Sequence, residues 1–288
     1  MKKIMIIFMF LLFATTLATA KKTQTEEPQA AQLQKKAAAK ADLPLEKTIE
    51  ISKDVNMAVV FIPAGKFEMG SPPTELKKDN DEGQHTVKLT KAFYIGKFEV
   101  TQLQYRAIMH QNNSKFGGDK LPVENANWHE ARRFLKRLSD KTGLKFRLPT
   151  EAEWEYACRA GTTTAFNVGT TLDSSLANYK AKTPYADGVA GEYLKRTNNV
   201  GAYRPNAFGL YDMHGNVWEW CSDLYDKNYY KISPLVDPKG PQKSNSGHVI
   251  RGGAWNEKAY KCRSADRNHR WPKINQSIIG FRVVLEIE

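Results

Sequence analysis

The sequence predicts a single α+β domain with little regular secondary structure, preceded by a secretion signal and a linker. Apolar and polar residues alternate in the first part of the folded region, and three later segments carry helix start signals. The chain after Gly161 is rich in Asn, Gly, Pro and Tyr, with only short strand-like runs such as His248 to Arg251 and Phe281 to Leu285. A long irregular region of this kind needs bound cations or a disulfide to hold it.

The first twenty residues have the pattern of a secretion signal. Lys2 and Lys3 precede an apolar run from Ile4 to Leu17, and residues 18–20 give a small-x-small cleavage site. The apolar run is too short to span a bilayer, no later stretch is long enough, and no cysteine lies near the cleavage point. We therefore expect a periplasmic or secreted mature protein with no transmembrane segment and no lipoprotein anchor.

Residues 21–47 are predicted to form a linker. Their composition shifts to Lys, Gln, Ala, Glu and Thr with hardly any aliphatic residues, as in AAQLQKKAAAKAD. Such a segment buries too little apolar surface to fold by itself, so we expect it to be disordered or transiently helical. The folded domain then covers residues 48–288.

Two strand pairs are expected at the start of the domain. Residues Met57 to Met69 alternate around a Pro-Ala-Gly break, which predicts a β-hairpin with its turn at Ala64 and Gly65. A second pair is indicated by the apolar positions Val87, Leu89, Phe93 and Ile95.

Three helices begin with capping boxes, in which a Thr or Asn side chain and a Glu or Gln three residues later satisfy the first free backbone N–H groups. The pairs are Thr101 with Gln104, Asn127 with Glu130, and Thr150 with Glu153. The first helix should run from about Gln102 to His110, and the third should end near Gly161. The second has one apolar face made by Ala131, Phe134, Leu135 and Leu138.

The chain is basic, with a formal net charge of +12 at pH 7. Anionic envelope polymers or an acidic partner would suit such a surface, but Lys-rich faces are commonly only solvated. No arginine-aromatic platform indicates nucleic acid binding.

Three cysteines, Cys158, Cys221 and Cys262, allow at most one disulfide. We prefer the pair Cys221 and Cys262, because both flank the loop-rich C-terminal part of an exported chain. The sequence does not fix the connectivity.

A dense set of turn and ligand residues lies in Asn206 to Trp220, NAFGLYDMHGNVWEW. Its glycines and asparagines permit positive φ. Asp212 and Glu219 offer carboxylates, and Gly215 and Val217 offer peptide carbonyls between them. An oxygen-only set suits a hard cation, Ca²⁺ before Mg²⁺. Spacing alone favours a simpler interpretation, a Gly/Asn turn that leads into an amphipathic strand with two solvated acids.

Seven motifs follow one another over residues 57–284: FIPAGKFEMGS, FEVTQLQY, LPVENANWHEARRF, FRLPTEAEWEYACRAG, NAFGLYDMHGNVWEW, VIRGGAW and IGFRVV. In these motifs and their order, the chain resembles the formylglycine-generating enzyme, or sulfatase-modifying factor, family. This resemblance implies one domain related to the C-type lectin fold, with bound structural calcium. One calcium site falls on Asp212, Gly215, Val217 and Glu219. Another falls on Asn178 and Tyr179, with Glu192 and Leu194 as the later pair.

The founding enzyme of this family uses O₂ to convert a cysteine of its substrate to formylglycine, at a Cu(I) ion held by two cysteine thiolates. The resemblance places these cysteines around Trp255 or Asn256 and around Ala259 or Tyr260, which offer no thiolate. Cys262 is the one sulfur between the RGG and GFR motifs. We therefore do not expect copper.

Other catalytic centres have little support in the sequence. The six histidines show no HxH or HxxxH spacing typical of a metal site. Cys262 with His269 as base is a weak candidate for a nucleophile, since a structural cysteine is the usual alternative. A cluster of arginines, Arg251, Arg263, Arg267 and Arg270, could bind an anionic ligand or pair with nearby acids.

Two classes of function follow. The favoured one is a non-catalytic or diverged, calcium-stabilised binding protein that presents the surface from Trp255 to Trp271 to a protein or glycan partner in the envelope. The alternative is an oxidoreductase of the formylglycine-generating type that modifies a cysteine or another side chain of a protein or peptide.

Overall fold

The computed structural model describes residues 27–287, so the predicted signal (residues 1–20) and the start of the linker lie outside the described residues. Four helices lie in this part of the chain: α1 (Gln29–Lys40), α2 (Gln102–Met109), α3 (Trp128–Thr142) and α4 (Glu151–Arg159). The first strands are β1 (Glu46–Ser52), β2 (Val55–Ile62), β3 (Gly65–Met69), β4 (His85–Leu89), β5 (Phe93–Gly96) and β6 (Phe146–Arg147). The later strands are β7 (Trp218–Leu224), β8 (His248–Arg251), β9 (Asn268–Arg270), β10 (Ile279–Gly280) and β11 (Val284–Glu286).

The predicted linker contains the helix α1. The sequence predicts a disordered or transiently helical segment there, whereas α1 is packed against the domain. Ala31, Gln34 and Ala38 are buried, and the Gln34 Nε2 group donates to the carbonyls of Phe61 and Phe208 at 2.7 and 3.1 Å. The composition of this segment did not predict a stable, docked helix. The helix packs against the domain because its alanines are small enough for close approach, and because Gln34 satisfies two buried backbone acceptors. Strand β1 then begins at Glu46, close to the predicted domain start.

A five-stranded sheet in the order β1-β2-β5-β11-β6 separates two apolar clusters. Alternation along β2 places Val59 and Phe61 against α2 and α3, and Val60 and Ile62 in the cluster that includes α4. Both faces of β2 are therefore buried, which explains its nearly continuous apolar sequence.

Both predicted strand pairs are wrong in their pairing, although the strands exist. Strand β2 pairs with β1 and β5, whereas β3 pairs with β4 in a separate two-stranded sheet. The break at Pro63 transfers the chain from one sheet to the other instead of folding β3 back on β2. Likewise β5 pairs with β2 and β11 and not with β4.

The three predicted helices are confirmed, and each capping box has both of its hydrogen bonds. Each of these helices ends in a residue with positive φ: His110, Gly143 and Ala160. On α3 the predicted face of Ala131, Phe134, Leu135 and Leu138 is buried.

A second sheet, in the order β10-β7-β8-β9, organises the C-terminal part around β7. The chain between α4 and β7 has no helix or strand, as the composition predicts. The preferred disulfide is wrong: Cys158, Cys221 and Cys262 are all buried free thiols, and the last two lie in different apolar clusters. No helix within residues 27–287 has the length and apolar character needed to cross a bilayer.

Candidate functional site

The loop before β7 is shaped by turn residues and by the side chain of Asn206. The Asn206 Oδ1 atom accepts from the N–H groups of Phe208 and Leu210, and its Nδ2 atom donates to the Ala157 carbonyl at 2.7 Å. Backbone φ is positive at Gly209, Asp212, Gly215 and Asn216. At position 215 a Cβ would overlap the carbonyl oxygen of Asn178, so only glycine fits there.

Three carboxylates meet under this loop: Glu99 and Glu219 are buried and Asp212 is half-buried. Glu219 lies on β7 and accepts from Trp154 Nε1 at 2.7 Å and from the Arg282 guanidinium. Asp212 accepts from the Gly201 N–H at 2.6 Å. Glu99 precedes α2; its Oε1 atom accepts from Asn216 Nδ2 at 3.0 Å, and its buried Oε2 atom has no donor among the described residues. The Glu99 and Asp212 carboxyl groups lie close enough to share a hydrogen bond when one of them is protonated.

Acidic groups outnumber cations in this carboxylate cluster, because the one guanidinium of Arg282 interacts with all three acids. Burial raises the pKa of Asp212 to about 6, opposed by the Gly201 N–H and by Arg282. Burial, together with the charge of Asp212, also raises the pKa of Glu99 well above its usual range. An oxygen-rich, electron-rich cluster of this kind can hold either extra protons or a hard cation.

The structure connects Asn178 to the same loop. The Asn178 carbonyl accepts from the Asn216 N–H at 2.7 Å, and the Asn178 Nδ2 group donates to Asn216 Oδ1 and to the Arg196 carbonyl. The Asn178 Oδ1 atom is buried and has no partner among residues 27–287. Asn178 therefore presents an unused oxygen beside the loop that carries Asp212.

The other residues of the second expected calcium site are not gathered around Asn178 in the same way. Tyr179 is buried and its hydroxyl donates to the Leu172 carbonyl. The side chain of Glu192 is exposed, with its backbone N–H donating to Ser174 Oγ at 3.1 Å, and Leu194 is half-buried.

Glu99 is the residue of this cluster that the sequence analysis missed. Glu99 lies in the motif FEVTQLQY, two residues before the N-cap of α2. Its position between the apolar residues Phe98 and Val100 is the feature of the sequence that indicates a buried carboxylate. Its burial to 1 % exposure shows that it is not a solvated acid.

The structure does not pair Cys262 with His269. The Cys262 thiol is fully buried beside Gly253, and burial raises its pKa well above the usual range. His269 lies on β9, stacks on Tyr225 at a centroid distance of 4.2 Å, and its Nδ1 atom lies 2.6 Å from the Ser246 carbonyl. A fully buried, protonated thiol is a poor nucleophile.

The arginine cluster is engaged with acids inside the protein. Arg251 pairs with Glu155, Arg267 forms a two-point pair with Glu151, and Arg263 forms one with Glu82. These three guanidinium groups are buried, whereas Arg270 is half-buried and donates to Asn268, His269 and Gln276. Of the two alternatives for this cluster, internal pairing is the one observed.

An acidic group formed by Asp79, Asp81 and Glu82 could in principle attract a metal ion. Its charges are already compensated, because Lys261 pairs with Asp79 at 2.6 Å and Arg263 pairs with Glu82. Asp81 also accepts from the Tyr225 hydroxyl at 2.7 Å. This group therefore serves as the acidic half of the buried arginine network.

An aromatic surface lies next to the carboxylate cluster. The Trp255 ring meets Phe116 edge-on at 5.6 Å and stacks with Tyr193 at 6.4 Å, and all three rings are half-buried. The backbone N–H of Trp255 donates to the Asn216 carbonyl, so this surface is hydrogen-bonded to the loop before β7. Trp271, at the other end of this interval, is 57 % exposed.

Comparison with known proteins gives consistent likenesses. A model of the sulfatase-modifying factor enzyme 1-like domain matches residues 47–287. The formylglycine-generating enzyme of Mus musculus is 28% identical over 278 residues, covering 78% of this chain and 74% of the mouse protein. Treponema denticola variable protein 1 is 30% identical with a TM-score of 0.73, covering 84% of this chain and 99% of its own. PvdO from Pseudomonas aeruginosa is 30% identical with a TM-score of 0.70, covering 84% and 98%.

Proposed function

This chain belongs to the sulfatase-modifying factor family, and from that premise we propose that it is an exported, calcium-stabilised member that binds a protein or glycan partner in the cell envelope without catalysis. Its fold is the mixed, loop-rich fold of that family, related to C-type lectins, which the sequence predicted. Export rests on the signal pattern of residues 1–20. Protein recovered from the envelope or medium should begin at Lys21 by mass spectrometry, and an intact Met1 would contradict export.

The observation that carries the calcium proposal is the buried carboxylate cluster with an unpartnered Glu99 oxygen. Buried polar atoms are almost always satisfied, and a carboxylate oxygen without a donor beside two more carboxylates can be satisfied by a bound cation or by a proton shared with Asp212. The three converging carboxylates are the oxygen-rich donor set that suits Ca²⁺. The ligands would be Asp212, Glu219 and the carbonyls of Gly215 and Val217, with Glu99 as an addition. The ion would offset the excess negative charge and brace the loop.

A second calcium ion at Asn178 has partial support. The unpaired Asn178 Oδ1 atom fits a ligand role. The Tyr179 carbonyl already accepts from the Ala181 N–H at 2.9 Å. The Glu192 side chain is exposed, although its loop reaches Asn178 through the Arg196 carbonyl, which accepts from Asn178 Nδ2 at 2.9 Å. We therefore propose the loop before β7 as the stronger of the two sites.

The non-catalytic assignment rests on the interval between Arg251 and Arg282. It contains one cysteine, Cys262, and that thiol is fully buried. A Cu(I) site needs two accessible thiolates, so the residues present do not fit the family's copper ion and we derive no step through it. The half-exposed rings around Trp255 and the exposed Trp271 instead offer an amphipathic contact surface for the partner.

The alternative function, an oxidoreductase of the formylglycine-generating type, is favoured by the likeness to the mouse formylglycine-generating enzyme. The two functions are separated by incubating the mature protein with Cu(I), O₂ and a peptide that contains a cysteine in a sulfatase motif. We expect no aldehyde product by mass spectrometry. Aldehyde formation that is lost in a Cys262→Ser variant would replace the binding proposal with the catalytic one.

Calcium binding is tested by thermal unfolding of the mature protein, first with a chelator and then with added CaCl₂ or MgCl₂. Calcium at about 100 times its dissociation constant should stabilise the fold by ~2.7 kcal/mol, or about 5 °C or more in Tm. The double variant Glu99→Gln, Asp212→Asn should lose this response. Asp54→Asn, which changes an exposed acid in the turn between β1 and β2, should keep it. An unchanged Tm in all solutions would overturn the calcium proposal.

A further inference from the structure

Residues 232–236 form a loop that exposes apolar side chains to solvent. Ile232 is 78 % exposed, Leu235 53 % and Val236 47 %, and Pro234 between them is exposed as well. Single exposed apolar residues are common on protein surfaces, but three large ones within five residues form a patch. We call this segment the apolar loop.

The apolar loop is held in place at both ends. It follows one turn of 3₁₀ helix (Tyr229–Lys231), in which both tyrosines are buried. The Leu235 carbonyl accepts from the Lys88 N–H at 2.7 Å, and the Asp237 N–H donates to the Lys88 carbonyl at 3.0 Å. The Asp237 carboxylate also accepts from the N–H and the hydroxyl of Thr90. The apolar side chains are therefore exposed on a braced segment of backbone.

The surface around the apolar loop is basic. Residues 231–239, strands β3 and β4, and residues 90–91 together carry five exposed lysines and two carboxylates: Lys66, Lys88, Lys91, Lys231 and Lys239, and Glu68 and Asp237. Two further acids, Glu153 and Glu286, line a cavity with Lys91 and Lys239, and both pair with Arg147. Among residues 27–287, the lysines that form ion pairs lie elsewhere. The positive charge beside the loop is therefore not neutralised by the protein.

Two of these lysines are direct cross-strand neighbours. Lys66 on β3 lies opposite Lys88 on β4, and Lys88 forms a bridge with Val236 of the apolar loop. Like charges directly opposite each other on a strand pair repel, and an anion beside them relieves that repulsion. The surface therefore suits an occupant that places negative charge next to an apolar region.

We propose that the apolar loop docks on a lipid bilayer with anionic headgroups. Ile232 and Leu235 enter the boundary between headgroups and acyl chains, and the lysines lie at the level of the lipid phosphates. A bilayer takes up projecting apolar side chains without a shaped receptor. A second copy of the chain fits less well, because a two-fold interface on this patch would bring the same lysines together.

This docking surface goes beyond the proposed function, because it uses neither the carboxylate cluster nor Trp255. The first test is cosedimentation of the mature protein with vesicles, made either of phosphatidylcholine alone or of equal parts phosphatidylcholine and phosphatidylglycerol. We expect stronger binding to the anionic vesicles, which weakens as salt is added. Trp255→Ala should bind these vesicles as the wild type does, so the two proposals stand or fall separately.

Two double variants separate the contributions of charge and apolar contact. Lys88→Gln, Lys231→Gln should lower the affinity for anionic vesicles by about tenfold. Lys53→Gln, Lys120→Gln is the matched control, since it removes the same charge from exposed positions in the turn between β1 and β2 and in the segment after α2. This control should bind as the wild type does, and an equal loss in both variants would show attraction by net charge only and overturn the proposal.

Insertion of the apolar loop is tested with an environment-sensitive dye. The native thiols are buried, so the dye should react only with the introduced thiol of Ile232→Cys or, as a control, of Val189→Cys, an apolar position that is 66 % exposed. On anionic vesicles the dye at position 232 should gain fluorescence and shift to shorter wavelength, and the dye at position 189 should not. An unchanged spectrum at position 232 on sedimenting protein would overturn insertion.

Loss of the apolar contact should also weaken binding. Ile232→Ser, Leu235→Ser should lower the affinity for anionic vesicles by about tenfold, because both side chains then lose their burial in lipid. No sedimentation of the wild type with anionic vesicles would overturn the proposal. Self-association of the wild type in sedimentation velocity that disappears in this variant would also overturn it, and would assign the apolar loop to an interface with a second copy.

Discussion

Arg282 and Glu219 form a two-point ion pair in the interior of the domain, with the Nε and Nη2 atoms each 2.6 Å from a different carboxylate oxygen. The guanidinium also donates to the carbonyls of Gly96 and Tyr211. One side chain therefore joins β7, the end of β5 and the loop that carries Asp212. The pair also gives the buried Glu219 carboxylate a cationic partner beside two other acids.

Arg282→Met should destabilise the protein strongly, because it removes the guanidinium that pairs at two points with the buried Glu219 carboxylate. Breaking a buried pair on one side costs about 3–5 kcal/mol. Urea unfolding followed by tryptophan fluorescence measures this loss. Arg106→Met, which removes an exposed pair with Asp119, is the control and should cost less than about 1 kcal/mol. A midpoint for Arg282→Met that matches the control would show that the buried pair is not structural.

The three thiols should be unreactive in the folded protein. Cys158, Cys221 and Cys262 are buried, and burial raises the pKa of Cys158 to about 12 and those of the other two well above their usual range. Ellman's reagent should therefore label no thiol under native conditions and all three in guanidinium chloride. Labelling of only one thiol after unfolding would mean that two are joined in a disulfide, contrary to the structure.

Gln34→Ala should loosen α1 from the domain. The Gln34 amide is the donor for two carbonyls, those of Phe61 and Phe208, and an unsatisfied buried acceptor costs about 1–3 kcal/mol. Hydrogen exchange should then show lower protection of residues 29–40. Gln32→Ala is a matched control on the same helix, since Gln32 is exposed and donates to the Glu27 carbonyl. Equal exchange in the two variants would contradict a docked role for Gln34.

The helices could be predicted from the sequence because their start signals are local. A capping box such as Thr101 with Gln104 needs four consecutive residues and no knowledge of the rest of the fold. Strand pairing could not be predicted in the same way, because β2 finds β5 and β11 finds β6 across long stretches of chain. Pairing partners are chosen by burial of whole sheet faces, which short alternating runs do not specify.

In the candidate site, too, the features set by local sequence could be predicted and those set by the tertiary fold could not. Positive φ at Asp212 and Gly215 follows from local turn chemistry, and the sequence indicated an oxygen-rich loop there. Glu99 joins the loop only through the tertiary fold, by its contact with Asn216. The docking of α1 could not be predicted for a similar reason, because its burial depends on Phe61 and Phe208, which are distant in sequence.

Asp223 should make stability depend on pH near neutrality. Burial, together with the charge of Glu151, raises its pKa to about 7 from an ordinary 3.8. Between these two pKa values the folded state holds a proton that the unfolded state releases. The free energy of unfolding therefore falls as pH rises through this window, by up to about 1.4 kcal/mol for each pH unit.

Asp223→Asn should make this slope shallower, with a remainder from Asp212 and Glu99, whose pKa values are also raised, and should make the protein more stable than the wild type at about pH 8. The substitution keeps an oxygen that can accept from the Glu151 N–H and the Ser222 hydroxyl, the two donors that contact Asp223. Urea midpoints measured from about pH 5 to about pH 8 follow the effect, with Asp187→Asn as an exposed control that keeps the wild-type slope. If Asp223→Asn retained that slope, the titrating group would have to lie elsewhere, and the Asp223 carboxylate would be charged throughout this range.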